Sequence, residues 1–311
     1  MLISIRPLTE DELTEADRIF RLAFGTFKND PHPETYGGAT TYIKRWYADP
    51  NAAFGAFINE KLVGSNFAIN WGSFGLFGPL TVHPDFWGRG IAQQLIDAAV
   101  KYLNQLKVEN IGFFTFSNSP AHLNLYQKFA FYPGFLTTLL SKQIQSKQKL
   151  PGLRYSQISN LQQQECLHSA RELTNTIYQG LDLSKEIQVV EAQNLGDTIL
   201  LFEEKRLMGL GICHYGVGTE AENDTCYVKF GAVRSHSVAN KYFAMLLQGC
   251  ETLGAIALVS RLVCGINTAR HEAYLQMLSL GFSIDRVGVA MHKPSEFAFN
   301  RSDVYIIDDW R

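Results

Sequence analysis

The sequence predicts an α/β (α+β) chain made of two copies of one domain, and three observations predict it. Leu80 to Leu103 reads as an apolar strand, a Pro-Asp turn, a glycine loop and an amphipathic helix, LTVHPDFWGRGIAQQLIDAAVKYL. Residues 111–135 read as a buried strand, a Ser/Asn/Pro helix start, a short helix and a strand entry. Both patterns then return downstream. Val82 matches Val233 and Phe131 matches Phe282, and each pair is 151 positions apart. Equal offsets over two elements imply duplication.

The elements follow in order. ISIRPL is a short strand, and Thr9 with Glu12 makes a capping box for a helix that carries Leu13, Ala16, Ile19 and Phe20 on one face. A polar, aromatic segment runs from Phe27 to Pro50. AAFGAFI and KLVGSNFAIN form a hairpin across Asn59-Glu60. Gly72, Gly75 and Gly78 read as a wide hairpin turn before the strand that ends at Val82. Ser117, Asn118 or Ser119 caps the helix that follows the buried strand. SKQIQSKQKLPGLR, short of large apolar residues, reads as a linker. Beyond it EEKRLMG repeats NEKLVG, VRSHSVANKYFAMLLQ repeats VHPDFWGRGIAQQLID, and MLSLGF repeats YQKFAF. The chain divides into 1–142, a linker 143–153, 154–294 and a tail 295–311.

Composition narrows the function. With 46% apolar and 19% charged residues the chain is that of a soluble globular protein. A net charge of -2 implies no global attraction to nucleic acid or to an anionic membrane, so neither is an expected partner. All five cysteines lie in the second half without a CxxC pair, which suits buried thiols better than a disulfide framework or a zinc site. The first twenty residues carry acids where a signal peptide needs an apolar run. A cytoplasmic location is expected.

The strand–glycine–helix unit has a chemical meaning. The first amides of a helix lack internal partners, and the helix dipole adds positive charge there. Gly88 and Gly90 would let a phosphate approach the backbone. Gly88, Gly90 and Ala92 fall on the Q/R-x-x-G-x-G/A signature of the GNAT superfamily of acyl-CoA N-acyltransferases, which this segment resembles. LYQKFAF resembles a second block of that family, with Tyr126 at its tyrosine position. Three departures stand out. Trp87 replaces the Gln or Arg of the signature, Ala130 replaces a glycine, and Ser119 falls where the family has Asn, one residue after Asn118.

The resemblance implies two tandem domains, each a mixed, mostly antiparallel twisted sheet flanked by helices. It implies that acetyl-CoA is the acyl donor, that Leu80, Thr81 and Val82 meet its pantetheine, and that Gly88, Arg89, Gly90, Ile91, Ala92 and Gln93 hold its pyrophosphate. Asn118 or Ser119 adds a further contact. Tyr126 is the candidate general acid for the leaving thiolate. In the second copy Ala239 and Lys241 stand for the two glycines and Met277 for Tyr126, so that copy is expected to be structural. Asn267 and Tyr274 keep the seven-residue spacing of the motif's Asn and Tyr.

No carboxylate marks the general base. Asp30, His32, Glu34 and Tyr36 lie on the edge where the family admits its acceptor, and Asp308, Asp309 and Arg311 offer groups from the tail. His83 and His122 lack partners at metal-ligand spacing, so no metal is expected and both are taken as structural. The leading function is acetyl transfer to an amine, whose identity the sequence leaves open. The alternative is a non-catalytic acyl-CoA-binding or sensing module. The G-x-x-x-x-G-K-[ST] phosphate loop of nucleotide kinases is absent.

Overall fold

A computed structural model describes residues 2–145, 149–294 and 296–311. Positions 146–148 of the expected linker and 295 of the tail lie outside the described residues. Strand β1 (Ser4–Pro7) leads through the Thr9–Glu12 capping box into helix α1 (Leu13–Phe27), whose buried face is Leu13, Ala16, Ile19, Phe20 and Ala23. A short helix α2 (Lys44–Ala48) breaks the aromatic segment. Strands β2 (Ala53–Ile58) and β3 (Lys61–Trp71) pair Ile58 with Lys61 across a turn in which Asn59 and Glu60 both have positive φ. That is the hairpin geometry matching strand twist.

The expected wide turn is instead tight. Trp71 pairs with Phe74 of β4 (Phe74–Phe77) around Gly72-Ser73, with Gly72 at φ 74°. Gly75 lies inside the strand, where a Cβ would meet Leu103 at 2.9 Å. Packing against a helix, not a loop, explains that glycine. Strand β5 (Thr81–Val82), helix α3 (Ile91–Gln105), strand β6 (Asn110–Thr115), helix α4 (Pro120–Gln127) and strand β7 (Tyr132–Gln143) complete the first half.

The second half holds β8 (Leu153–Arg154), α5 (Asn160–Ile177), α6 (Ser184–Ala192), β9 (Gly196–Glu203), β10 (Arg206–Tyr215) and β11 (Thr225–Val233). Helix α7 (Ala239–Ile256), strand β12 (Arg261–Asn267), helix α8 (His271–Ser279), strand β13 (Ser283–Lys293) and strand β14 (Ile306–Ile307) follow. The repeat seen in sequence is geometric here. Asn110 and Arg261, Pro120 and His271, and Tyr132 and Ser283 open matching elements, each pair 151 positions apart.

All the strands join one mostly antiparallel sheet, ordered β1-β2-β3-β4-β6-β13-β7-β12-β11-β10-β9-β8, with β5 on β3 and β14 on β11. Each half completes the other. Strand β13 pairs with β6, Met291 opposite Phe113, while β7 pairs with β12, Thr138 opposite Ile266. The exchange carries the polar Ser141–Gln143 run into β7 as strand, because β12 supplies its ladder and Arg261 and Asp285 hydrogen-bond the Ser141 hydroxyl at 2.8 and 2.9 Å. It also brings β13 against the first half so closely that a Cβ on Gly288 would overlap Phe114.

Candidate active site

The cleft begins where strands part. Strands β4 and β6 run parallel from Phe74–Asn110 to Leu76–Gly112, whereas β5 pairs only with β3. Leu80 to Val82 thus leave one wall and Phe113 to Phe116 the other. Between them lies a cleft of about 1340 Å³. Gly88 (φ 74°) and Gly90 (φ 75°, the N-cap of α3) bend the backbone in the left-handed region, and a Cβ built on either meets nothing within 4 Å. The loop is an open cradle at a helix N-terminus, the geometry an anionic group needs.

Leu80, Thr81, Val82, Gly88, Arg89, Gly90, Ile91, Ala92, Gln93, Asn118 and Tyr126 all line this cleft. Ser119 does not. It is the N-cap of α4, its Oγ accepting from the His122 N–H at 3.4 Å and lying 2.6 Å from His122 Nδ1. The side chain one position earlier, Asn118, faces the cleft in its place. Trp87 is half-exposed, and its Nε1 donates to the Val82 carbonyl at 2.7 Å. Tyr126 packs its ring on Phe113, centroids 4.1 Å apart, and burial pushes its phenol above the ordinary tyrosine range. Its proton therefore stays on oxygen at neutral pH.

His122, expected to be structural, also lines the cleft. It sits one turn before Tyr126 on α4, against Phe27 and Phe116. Burial, then the nearby Lys28, holds its imidazolium below the usual histidine range, so the ring is neutral at pH 7. Of the edge residues, Tyr36 reaches the cleft, while Asp30, His32 and Glu34 are not among its lining residues.

The second half and the tail supply walls that sequence reasoning missed or placed differently. Glu222, Asn223, Arg286, Val287, Trp310 and Arg311 all line the cleft. Arg286 and Val287 arrive on the exchanged strand, which no local pattern announces. The tail does enter between the halves, and Trp310 is its anchor, 2% exposed and packed on Phe74 and Phe299. Its acids do not reach the cleft. Asp308 pairs with buried Arg270 at 2.9 Å, and Asp309 accepts from Tyr227 Oη at 3.0 Å and pairs with Arg311. Burial pushes the Asp308 carboxyl up to about 6.

The second copy differs in kind. Ala239 opens α7, Met277 is fully buried on α8, and the Asn267 amide is spent on Thr137 Oγ1 and the Phe135 carbonyl. All five cysteines are buried and free. Among the described residues no cluster of three or more His, Cys, Asp and Glu is placed to hold a metal ion, and no helix is long and apolar enough to cross a membrane.

Splayed strands, an amide cradle and a buried tyrosine thus meet in one cleft of this α/β fold. Residues 16–131 match the model of the Acetyltransferase (GNAT) family. A Pyrococcus horikoshii protein named "Putative Acetyltransferase" is 18% identical, superposes with a TM-score of 0.69, and is matched over 99% of this chain and 95% of its own. A GCN5-related N-acetyltransferase from Sphaerobacter thermophilus is 11% identical with a TM-score of 0.60, over 94% and 95% of the two chains. A tandem GNAT protein from the clavulanic acid biosynthesis pathway is 12% identical with a TM-score of 0.55, over 95% and 100%. These likenesses show the shared fold. No curated protein matches the sequence.

Proposed function

We propose that the protein is an acyl-CoA-dependent N-acyltransferase that moves an acetyl group from acetyl-CoA to a primary amine by direct attack in the first-half cleft. In this reading residues 1–142 are the working copy, 154–294 a degenerate one that completes its wall, and 295–311 a tail that seals the joint. A cytoplasmic setting suits the five free thiols. The observation that carries the reading is that the Gly88–Gln93 loop and Tyr126 line one cleft.

The chemistry follows from the groups present. The loop amides and Arg89 hold the donor's pyrophosphate, and Leu80 to Val82 and Asn118 orient the pantetheine. The neutral amine attacks the thioester carbonyl, the C–N bond forms, and the C–S bond breaks. Tyr126 gives its proton to the departing sulfur. His122, neutral and on the same helix, takes the proton that the new ammonium releases. Amide dipoles facing the carbonyl oxygen stabilise its developing charge.

Among the described residues the one Asp or Glu lining the cleft, Glu222, is already paired with Arg286, which favours a sensing module. Tyr126→Phe separates the two. It keeps the ring and removes only the donor, so acetyl-CoA affinity should hold while thiol release falls by about 100- to 10,000-fold. Undiminished turnover removes the proposed acid. Absence of turnover with every amine, in wild type that binds acetyl-CoA, selects the sensor.

A further inference from the structure

We propose that the acceptor is a small amine carrying a carboxylate on an aromatic or other apolar body, bound by Lys28 and Arg286 against the Phe24–Phe27–Phe116 wall. The inference rests on the N-acyltransferase reading and names its substrate class. It starts from charge. Among the described residues, besides the donor-loop Arg89 and Lys128 at the end of α4, the lining cations are Lys28, Arg286 and Arg311, and the lining Asp and Glu side chains reduce to Glu222. Two of the three cations are already matched, Arg286 by Glu222 and Arg311 by Asp309.

Lys28 is not matched. Its ammonium lies 4.1 Å from the Phe116 ring centroid and 5.8 Å from that of Phe27, and among the described residues it forms no salt bridge. Burial and the charge of Arg286 together make its protonated state costly, and Arg311 does the same to Arg286 after burial. With Arg286 and Arg311 matched, the unpaired Lys28 leaves the cleft with an excess of positive charge. An anion entering there relieves it, whereas a second cation adds to it. A polyamine, an aminoglycoside-like polycation or a lysine-rich peptide meets one carboxylate that is already paired.

The wall beside Lys28 fixes the remainder of the molecule. Phe24 stacks on Tyr36 with centroids 6.0 Å apart and planes 17° apart, and Phe27 lies 4.9 Å from Phe116 and from His122. These rings offer flat, apolar surface with no donor or acceptor except the Tyr36 hydroxyl and the His122 ring. A ring or a branched alkyl group fills such a surface, and the imidazole beside it is where an attacking amine loses its proton.

The test uses matched acceptors with acetyl-CoA: phenylalanine, phenylalaninamide, phenethylamine and spermidine, read by thiol release and by calorimetry of acetyl-CoA. Phenylalanine should show a KM about 10- to 100-fold below the amide and the amine, the range of a charge-assisted hydrogen bond. Lys28→Met should remove that preference and leave acetyl-CoA affinity intact. Equal or better use of spermidine or the amide overturns the proposal. So does loss of acetyl-CoA affinity in Lys28→Met, which would assign the cation to the donor's phosphates. If no amine is turned over, the acyltransferase reading fails by itself, and binding decides the inference. N-acetylphenylalanine binding to the CoA complex in preference to N-acetylphenethylamine, lost in Lys28→Met, supports it; equal or absent binding overturns it.

Discussion

The indole of Trp87 donates from Nε1 to the carbonyl of Val82 at 2.7 Å, tying the start of the glycine loop to the strand beside it. The residue that departs from the family signature thus has a structural task where Gln or Arg would offer a polar group to the donor. It also engages a carbonyl that the resemblance assigns to pantetheine. Trp87→Phe keeps the ring and releases that carbonyl. A hydrogen bond contributes about 1 kcal/mol net, so loosening the loop should weaken acetyl-CoA binding several-fold. Calorimetry decides it, and tighter binding would mean that the freed carbonyl serves the donor better than the tether serves the loop.

Acetyl-CoA should bind once per chain. Gly88 and Gly90 hold φ near 75° and their missing side chains leave open space, whereas Ala239 occupies the first position of the matching helix. In the free protein a Cβ at position 90 would meet no atom within 4 Å, so the local cost of Gly90→Val is chiefly backbone strain of about 1–3 kcal/mol. The larger effect appears on binding, because the branched side chain occupies the cradle. Calorimetry of wild type and variant should give a stoichiometry of one, and in the variant no measurable binding. Two sites, or an unchanged affinity, would count against the cradle.

How far this was readable from sequence depends on which interactions are local. The capping box at Thr9, the Asn59-Glu60 turn and the glycine loop are set by neighbours within a few residues, and each is where the pattern placed it. The 151-residue repeat was legible because both copies keep the same apolar spacing. Arg286 and Glu222 were not. They reach the cleft through strand exchange and a loop from the other half, and the pairing of β13 with β6 joins residues far apart in sequence. The place of His122 in the cleft was not legible because its aromatic surroundings, Phe27 and Phe116, come from other elements. The tail acids looked available because nothing in IIDDWR reveals that Arg270 and Tyr227 wait for them.

The tail consequently belongs to stability as much as to the site. Removing the Trp310 ring opens a void against Phe74, Phe299 and Gly112, and Trp310→Ala should cost about 3–5 kcal/mol. Asp308→Ala leaves Arg270 buried without its carboxylate and should cost a similar 3–5 kcal/mol. Urea unfolding followed by tryptophan fluorescence measures the second variant, and circular dichroism the first. Stability within about 0.5 kcal/mol of wild type in both would show that the tail is not part of the packed joint.

His214 makes the joint between the halves sensitive to acid. It is buried beside the Arg45–Glu220 and Lys229–Glu220 pairs, and neither ring nitrogen has a hydrogen-bond partner. Burial, then the charge of Lys229, lowers its pKa to about 4, against 6.5 for the free side chain. The unfolded chain therefore binds a proton that the folded chain refuses between those values. Stability is full above pH 6.5 and falls as the pH drops toward 4, by up to about 3 kcal/mol from this one group. Glu220 acts in the same direction at lower pH. Its folded pKa is depressed by Arg45 and Lys229 against the cost of burial, so its contribution is lost only below the ordinary carboxylate range. His214→Gln removes the first of these and keeps the second. Urea unfolding at pH 7.5 and 5 should show a smaller loss of stability in the variant than in wild type. An equal loss in both would place the acid sensitivity elsewhere in the joint.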